Sequence, residues 1–273
     1  MNSLSMPAPA LRYYGGKFRL ARWIISHFPP HDCYVEPFGG AASVLLQKPL
    51  SYIDVYNDLD RDVVTFFKAL RDRPEELVRA IKLTPYAREE YQVSHESTDD
   101  ELEQARRVYV RCWQGFGAKQ THSGWRYQLS RSRNMPLRSD WGRTEHLYLI
   151  AERLRCVQIE HEDAFEVIGR YDSSTTLFYV DPPYLASVRG HSRSYAFEMK
   201  DDEHVRLAEK LHAVKGMVII SGYQSELYES LYSDWDKRAW RTRNMRRKSI
   251  LEFIWVSPNA QKQSPMLIVE KRE

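Results

Sequence analysis

Leu177 to Val180 is a continuous apolar run of the kind buried in a parallel sheet, and it ends in Asp181-Pro182-Pro183-Tyr184. Ligands of open α/β sheets bind at the carboxyl ends of strands, so this tetrapeptide stands where a reacting group is held. The Asp181 carboxylate and the Pro182 carbonyl, kept outward by ring rigidity, offer two acceptors and no strong base. That pair suits an exocyclic amine whose lone pair is drawn into an aromatic ring. Both amine hydrogens are held, and the nitrogen is pushed toward tetrahedral geometry. Tyr184 supplies a ring able to stack on an extruded base, a contact worth about 1–3 kcal/mol against a flipping cost of a few kcal/mol.

A second constellation, Glu36-Pro37-Phe38-Gly39-Gly40-Ala41-Ala42-Ser43, follows a short strand-like run, and its small residues let backbone approach a ligand closely. Asp58 lies 22 positions past Glu36, just after a second strand, where nucleoside-binding α/β folds place an acid for ribose hydroxyls. An N-cap for the following helix is the alternative role of Asp58. Gly15-Gly16-Lys17 has neither the upstream glycine nor the following Ser/Thr of a P-loop.

The elements around these residues alternate. Cys33–Glu36 reads as a strand, FGG as a turn and Ala41–Gln47 as a helix. Tyr52–Tyr56 reads as a second strand, and Asp60–Arg71 as a helix with Val63, Val64, Phe67 and Leu70 at helical spacing. Such alternation implies a parallel α/β sheet. From Pro74, placed at a helix N1, to about residue 145 strand signals fade. Thr98 with Glu101 reads as a capping box for a helix through Val108, Tyr109 and Cys112. Further strands are expected at Cys156–Ile159, Leu177–Val180, Met217–Ile220, Leu251–Val256 and Met266–Val269, with helices near 201–213 and 224–232. The last two strands read as an antiparallel hairpin closing a mixed sheet. The domain division is therefore 1–73 with 146–273 as a catalytic domain, and 74–145 as a helical insert.

The formal net charge is only +3, but residues 111 to 143 hold seven Lys/Arg against the single acid Asp140, and residues 237 to 248 hold seven with no acid. Removing both stretches leaves 26 basic and 36 acidic residues, so positive charge is concentrated, as on a polyanion-binding face. In the first stretch Arg111, Gln114, Lys119, Arg126, Arg131 and Arg133 are interleaved with Trp113, Phe116, Trp125 and Tyr127. That mixture suits phosphate contact, wedging and base-edge reading in duplex DNA. Arg243 and Arg246, with Trp240 nearby, are read as gripping phosphates on the opposite side. Leu185 to Phe197 is either a lid over a bound base or a plain surface connection. Three widely spaced cysteines exclude a disulfide framework and suggest a reducing cytoplasm. The nine histidines lack partners at ligand spacing, so no metal is expected. No run is long and apolar enough for a membrane span, and the N-terminal residues do not read as a leader.

Taken together, the chain resembles the Dam-like, D12-class DNA adenine methylase family. Arg12-Tyr13-Tyr14-Gly15-Gly16-Lys17 resembles its GGK motif, Glu36 to Ser43 its cofactor loop and Asp181 to Tyr184 its catalytic DPPY, in the α order with the target-reading insert between the last two. The resemblance implies a Rossmann-like methyltransferase fold, S-adenosylmethionine as the cofactor and N6 of a flipped adenine in double-stranded DNA as the acceptor. It implies Asp181, Pro182, Pro183 and Tyr184 as catalytic. Tyr13, Lys17 and Asp181 should border cofactor and active site, Glu36, Pro37, Phe38, Gly39 and Gly40 the methionine end, Asp58 the ribose and Asp163 the cofactor adenine. One site per chain is compatible with a monomer. Rival readings remain the same fold acting on cytosine N4 or RNA, and a DNA-binding homologue without turnover. Housekeeping, phage and restriction-modification settings are equally open.

Overall fold

A computed structural model describes residues 6–118, 124–128, 141–185, 187, 197–243 and 249–263. Seven strands, β1 (Cys33–Glu36), β2 (Ile53–Asn57), β3 (Val157–Glu160), β4 (Thr176–Val180), β5 (Met217–Gly222), β6 (Asp236–Arg243) and β7 (Ser249–Val256), form one sheet in the order β3-β2-β1-β4-β5-β7-β6. The first five are parallel, whereas β7 runs antiparallel to both β5 and β6. Every residue of β1, β4 and β5 is buried, as expected of strands covered on both faces.

Side-chain alternation divides the core in two. Tyr34, Tyr56, Leu177, Tyr179, Ile219 and Ile254 face one side, whereas Val35, Val55, Phe178, Val180, Ile220 and Trp255 face the other. The first side is covered by α1 (Ala21–Ile25), α2 (Arg61–Asp72), α3 (Pro74–Leu83), α5 (Glu101–Gln114) and α6 (His146–Leu154). Between α3 and α5 lies the short α4 (Arg88–Val93). The second side is covered by α7 (Ala164–Arg170), α8 (Asp201–Ala213) and α9 (Glu226–Leu231). A final helix, α10 (Pro258–Gln263), follows β7. Leu77, Val78 and Ile81 of α3 and Val108, Tyr109 and Trp113 of α5 belong to the same buried cluster as the first sheet face. No described helix is long and apolar enough to cross a membrane.

Four local expectations change. Ala41–Gln47 is a series of turns with no α-helix, because Ala42 has a φ of 52° and the Leu45 amide is drawn 2.7 Å onto the Glu36 carboxylate. Asp100, not Thr98, caps α5, accepting from Leu102 N and Glu103 N. β6 is a strand in the stretch read as a basic face, and it supplies the hairpin partner of β7. The segment after β7 begins with α10, and Met266–Val269 lies outside the described residues.

One buried ionic contact joins β2 to both neighbours of the cofactor-type loop. Asp54, 1% exposed, lies 2.6 Å from Lys48 Nζ and 2.6 Å from Arg153 Nη2, and Arg153 also donates to the Leu45 carbonyl at 3.1 Å. Removing the shared carboxylate leaves two buried cations without a counter-charge, a change that costs about 3–5 kcal/mol. Asp54→Ala is expected to lower unfolding free energy in urea by that amount, and a loss below about 1 kcal/mol would contradict the assignment.

Candidate active site

The strand order reverses direction between β1 and β4, opening a crevice at their carboxyl ends. Four adjacent parallel strands deliver an acid to or just beyond that edge: Glu36 ends β1, Asp58 follows β2, Asp163 follows β3 and Asp181 follows β4. All four line one cavity of about 300 Å³.

Glu36 is 2% exposed, and its Oε1 accepts from Tyr34 Oη at 2.6 Å and Leu45 N at 2.7 Å. Burial pushes its pKa up to about 8 despite those two donors. Asp58 takes a different route. Its Oδ2 accepts from Gly40 N at 2.7 Å and its Oδ1 from Asp60 N at 2.8 Å, and burial raises it to about 6. The N-cap of α2 is Asp60, so Asp58 does not cap that helix. Asp163 caps α7 through Phe165 N at 2.8 Å and still reaches the cavity wall.

The loop after β1 needs glycine for two separate reasons. A Cβ on Gly39 would stand 2.2 Å from the Tyr56 ring, and Gly40 has a φ of 47° beneath the Tyr13 ring. Asn57, fully buried, pins this loop to the one after β3: its Nδ2 donates to the Pro37 and Glu162 carbonyls at 2.9 and 3.0 Å, and its Oδ1 accepts from Glu162 N at 2.9 Å.

On the other side of the crevice Lys17 Nζ lies 3.0 Å from Asp181 Oδ1, donates to the Gly15 carbonyl at 2.8 Å and sits 4.7 Å above the Tyr184 ring. Burial raises the Asp181 pKa, with Lys17 and the Tyr184 hydroxyl pulling it back. Burial alone would lower Lys17, yet Asp181 and Glu252 hold it above its ordinary value. The result is a buried pair in which each group draws the other toward its charged form against the effect of burial.

Tyr13, Lys17, Glu36, Pro37, Phe38, Gly39, Gly40, Asp58, Asp163 and Asp181, the ten positions expected at the cofactor, all line this cavity, as does Pro183. Pro182 and Tyr184 do not. Tyr184 is only 4% exposed, with Lys17 over its face and Tyr223 against its edge at 4.7 Å, so its ring is not an open stacking platform. Of the positions read as DNA-binding, Arg111 and Gln114 are corrected. Arg111 is buried between Asp62 and the Ser94 carbonyl, and Gln114, fully buried, donates to the Pro85 carbonyl and accepts from Trp125. Arg126 is half-buried and donates to the Trp113 carbonyl at 3.1 Å. Lys119, Arg131, Arg133 and Arg246, the Arg243 side chain and most of the 185–197 loop lie outside the described residues. Sequence reasoning missed Asn57, Glu252 and the wall from Phe197 to Glu203, although helical periodicity just beyond Lys200 marked where that wall ends.

A family model for D12 class N6 adenine-specific DNA methyltransferases matches residues 13–248. The chain belongs to that family. Among relatives, the DNA adenine methylase of Escherichia coli (strain K12) is 27% identical over 236 residues, 81% of this chain and 83% of the relative. That of Serratia marcescens is 26% identical over 242 residues, covering 81% and 86%. A type II methyltransferase of Methanocaldococcus jannaschii is 21% identical over 257 residues, covering 82% and 87%. The methyltransferase is thus an adenine-specific enzyme of DNA, and no group of side chains fit for a metal ion occurs among its described residues.

The raised Glu36 carboxyl has a consequence for stability. Its folded pKa of about 8 exceeds the ordinary 4.5, so the fold pays a penalty that begins as pH rises through 4.5 and is complete above 8. Glu36→Gln removes that penalty. Its melting temperature relative to the parent is expected to climb steadily from pH 5 to pH 9, and a difference that does not vary with pH would refute the shift.

Proposed function

We propose that the protein transfers a methyl group from S-adenosylmethionine to N6 of an adenine extruded from duplex DNA, with Asp181 as the acceptor that orients the amine. The observation that carries this reading is the position of Asp181 and Pro183 on the wall of the same cavity as Glu36 and Asp58, at the switch point of the sheet.

The donor set fits that cofactor. Glu36 offers a buried, mostly protonated carboxyl that the cationic methionine end would draw toward its ionised form, and Asp58, braced by two amides, offers acceptor capacity to vicinal hydroxyls. The half-buried Phe38 and Phe165 offer flat apolar surface to a purine. When bound, the cofactor supplies an electrophilic methyl on a sulfonium. The Asp181 carboxylate and the Pro182 carbonyl would accept the two N6 hydrogens and turn the nitrogen lone pair toward that methyl, and one amine proton would pass to Asp181. Lys17 draws Asp181 toward its anionic form.

Residues 74–145 are proposed to read the target as a helical insert, although α3 and α5 share their core with the sheet. Arg88 lies 4.8 Å over Trp125, which stacks on the exposed Tyr127, a cation and aromatic pair suited to a strained duplex. The basic face from Lys237 to Lys248 is proposed to hold phosphates across the cleft. One complete cavity per chain supports action as a monomer. The free thiols of Cys33, Cys112 and Cys156 support a reducing, cytoplasmic setting.

Labelled methyl transfer to unmethylated duplex DNA, followed by nucleoside analysis, is expected to yield N6-methyladenine at one short motif; N4-methylcytosine would move the acceptor. Asp181→Ala should lose at least about a thousandfold in kcat while binding DNA within roughly threefold of the parent. Normal turnover in that variant would end the proposed mechanism. The double variant Arg243→Ala with Arg246→Ala should reduce the salt slope of DNA binding by about two, and an unchanged slope would remove those residues from the interface.

A further inference from the structure

Glu252 on β7 is a buried carboxylate to which the mechanism above gives no role. It occupies the same side-chain row as Ile254 and Val256, which pack into the apolar core of the first sheet face, yet it is only 9% exposed itself. A carboxylate in such a row is costly unless neighbouring groups hold it. The neighbours here belong to the active site. Tyr184 Oη donates to Glu252 Oε2 at 3.3 Å, the Tyr223 hydroxyl hydrogen-bonds to the same carboxylate, and Lys17 attracts it. Tyr184 and Tyr223 meet edge to face at 4.7 Å, so the two phenols and the carboxylate brace one another.

We propose that Glu252 is a positioning residue for methyl transfer: it fixes the Tyr184 phenol and shares the Lys17 ammonium with Asp181, holding the Asp181 carboxylate at the cavity wall. This inference rests on the reading of Asp181 as the amine acceptor. Lys17 faces two carboxyl groups, Asp181 and Glu252, so the cluster carries excess negative charge when both ionise, where the attacking nitrogen becomes transiently positive. An apolar residue at 252 would leave the pair neutral and the Tyr184 hydroxyl without this acceptor.

Among the described residues, the titratable groups facing Glu252 are Lys17 from the N-terminal turn, Asp181 and Tyr184 from the loop after β4, Tyr223 after β5, and Tyr179 on β4; Trp240, its partner on β6, does not titrate. Asp181 in turn raises Glu36. Burial raises Glu252 and Asp181 alike, so the acid limb of turnover belongs to the cluster as a unit. Activity requires the ionised Asp181 and is lost as pH falls through that limb. Removing the Glu252 charge withdraws a neighbouring anion and gives Lys17 wholly to Asp181, which moves the limb to lower pH.

Glu252→Gln, close in shape and still able to accept from Tyr184, tests this in the full chain. Calorimetric affinity for S-adenosylmethionine and binding of target duplex should remain within about threefold of the parent, whereas kcat falls at least tenfold. The acid limb of kcat should move down by at least about half a pH unit. Glu252→Asp, which keeps the charge at shorter reach, should leave the limb in place with a kcat between the two, and it serves where the Gln variant does not fold. A Glu252→Gln enzyme within about twofold of the parent, a loss of kcat with an unmoved limb, or a Glu252→Asp enzyme equal to the parent overturns the proposal. Asp181→Ala run alongside separates the failures. If it is inert while Glu252→Gln is normal, only the role of Glu252 falls; if it turns over, the underlying mechanism falls with it.

Discussion

A parallel sheet carries all its strand carboxyl ends to one edge, and here that edge collects acids. Glu36, Asp58, Asp163 and Asp181 are brought there by four neighbouring strands, and like charges at such separations repel. The fold accommodates them in separate ways: a phenol and an amide for Glu36, two amides for Asp58, a helix N-terminus for Asp163 and an ammonium for Asp181. None of the four holds relies on another acid's partner, although Asp181 still raises Glu36 through its charge. At neutral pH the cavity thus sets a mostly protonated Glu36 beside a mostly ionised Asp58.

The supporting structure follows from keeping that edge in register. Asn57 ties the loops after β1 and β3, Gly39 lets the first of them lie against Tyr56, and Arg153 reaches from α6 to the carbonyl of Leu45, whose amide is already held by Glu36. The same amide donation is what prevents Ala41–Gln47 from winding into a helix. Backbone groups that would have closed helical turns are spent on the site. Local propensity yields to a functional carboxylate at this point.

Much of this was legible because the relevant residues announce themselves by type and place. Glycines after a strand, an acid after the next strand and an Asp-Pro-Pro run after a third are local signals, and the cofactor positions they named meet at one cavity with Tyr13, Lys17 and Asp163, which the family resemblance alone picked out. Asn57 and Glu252 give no such signal. Each is a polar residue inside an apolar strand run, and only the pairing of β7 with β5 shows that Glu252 reaches the loop after β4. Arg111 and Gln114 were misread for a related reason: their inward orientation depends on Asp62, Ser94 and Pro85, which lie far away in sequence. Likewise the cations of β6 hid its strand character, which only the pairing with β7 shows.

The sheet order places β7 between β5 and β6, so the last described strand of the chain is an interior one. β5, whose residues are all buried, has no second neighbour until β7 arrives. During synthesis the emerging polypeptide therefore carries an open, strongly apolar sheet margin until β7 has left the ribosome. A message broken or halted upstream of β7 yields a product with that margin exposed, a substrate for chaperones or proteases and not a smaller enzyme.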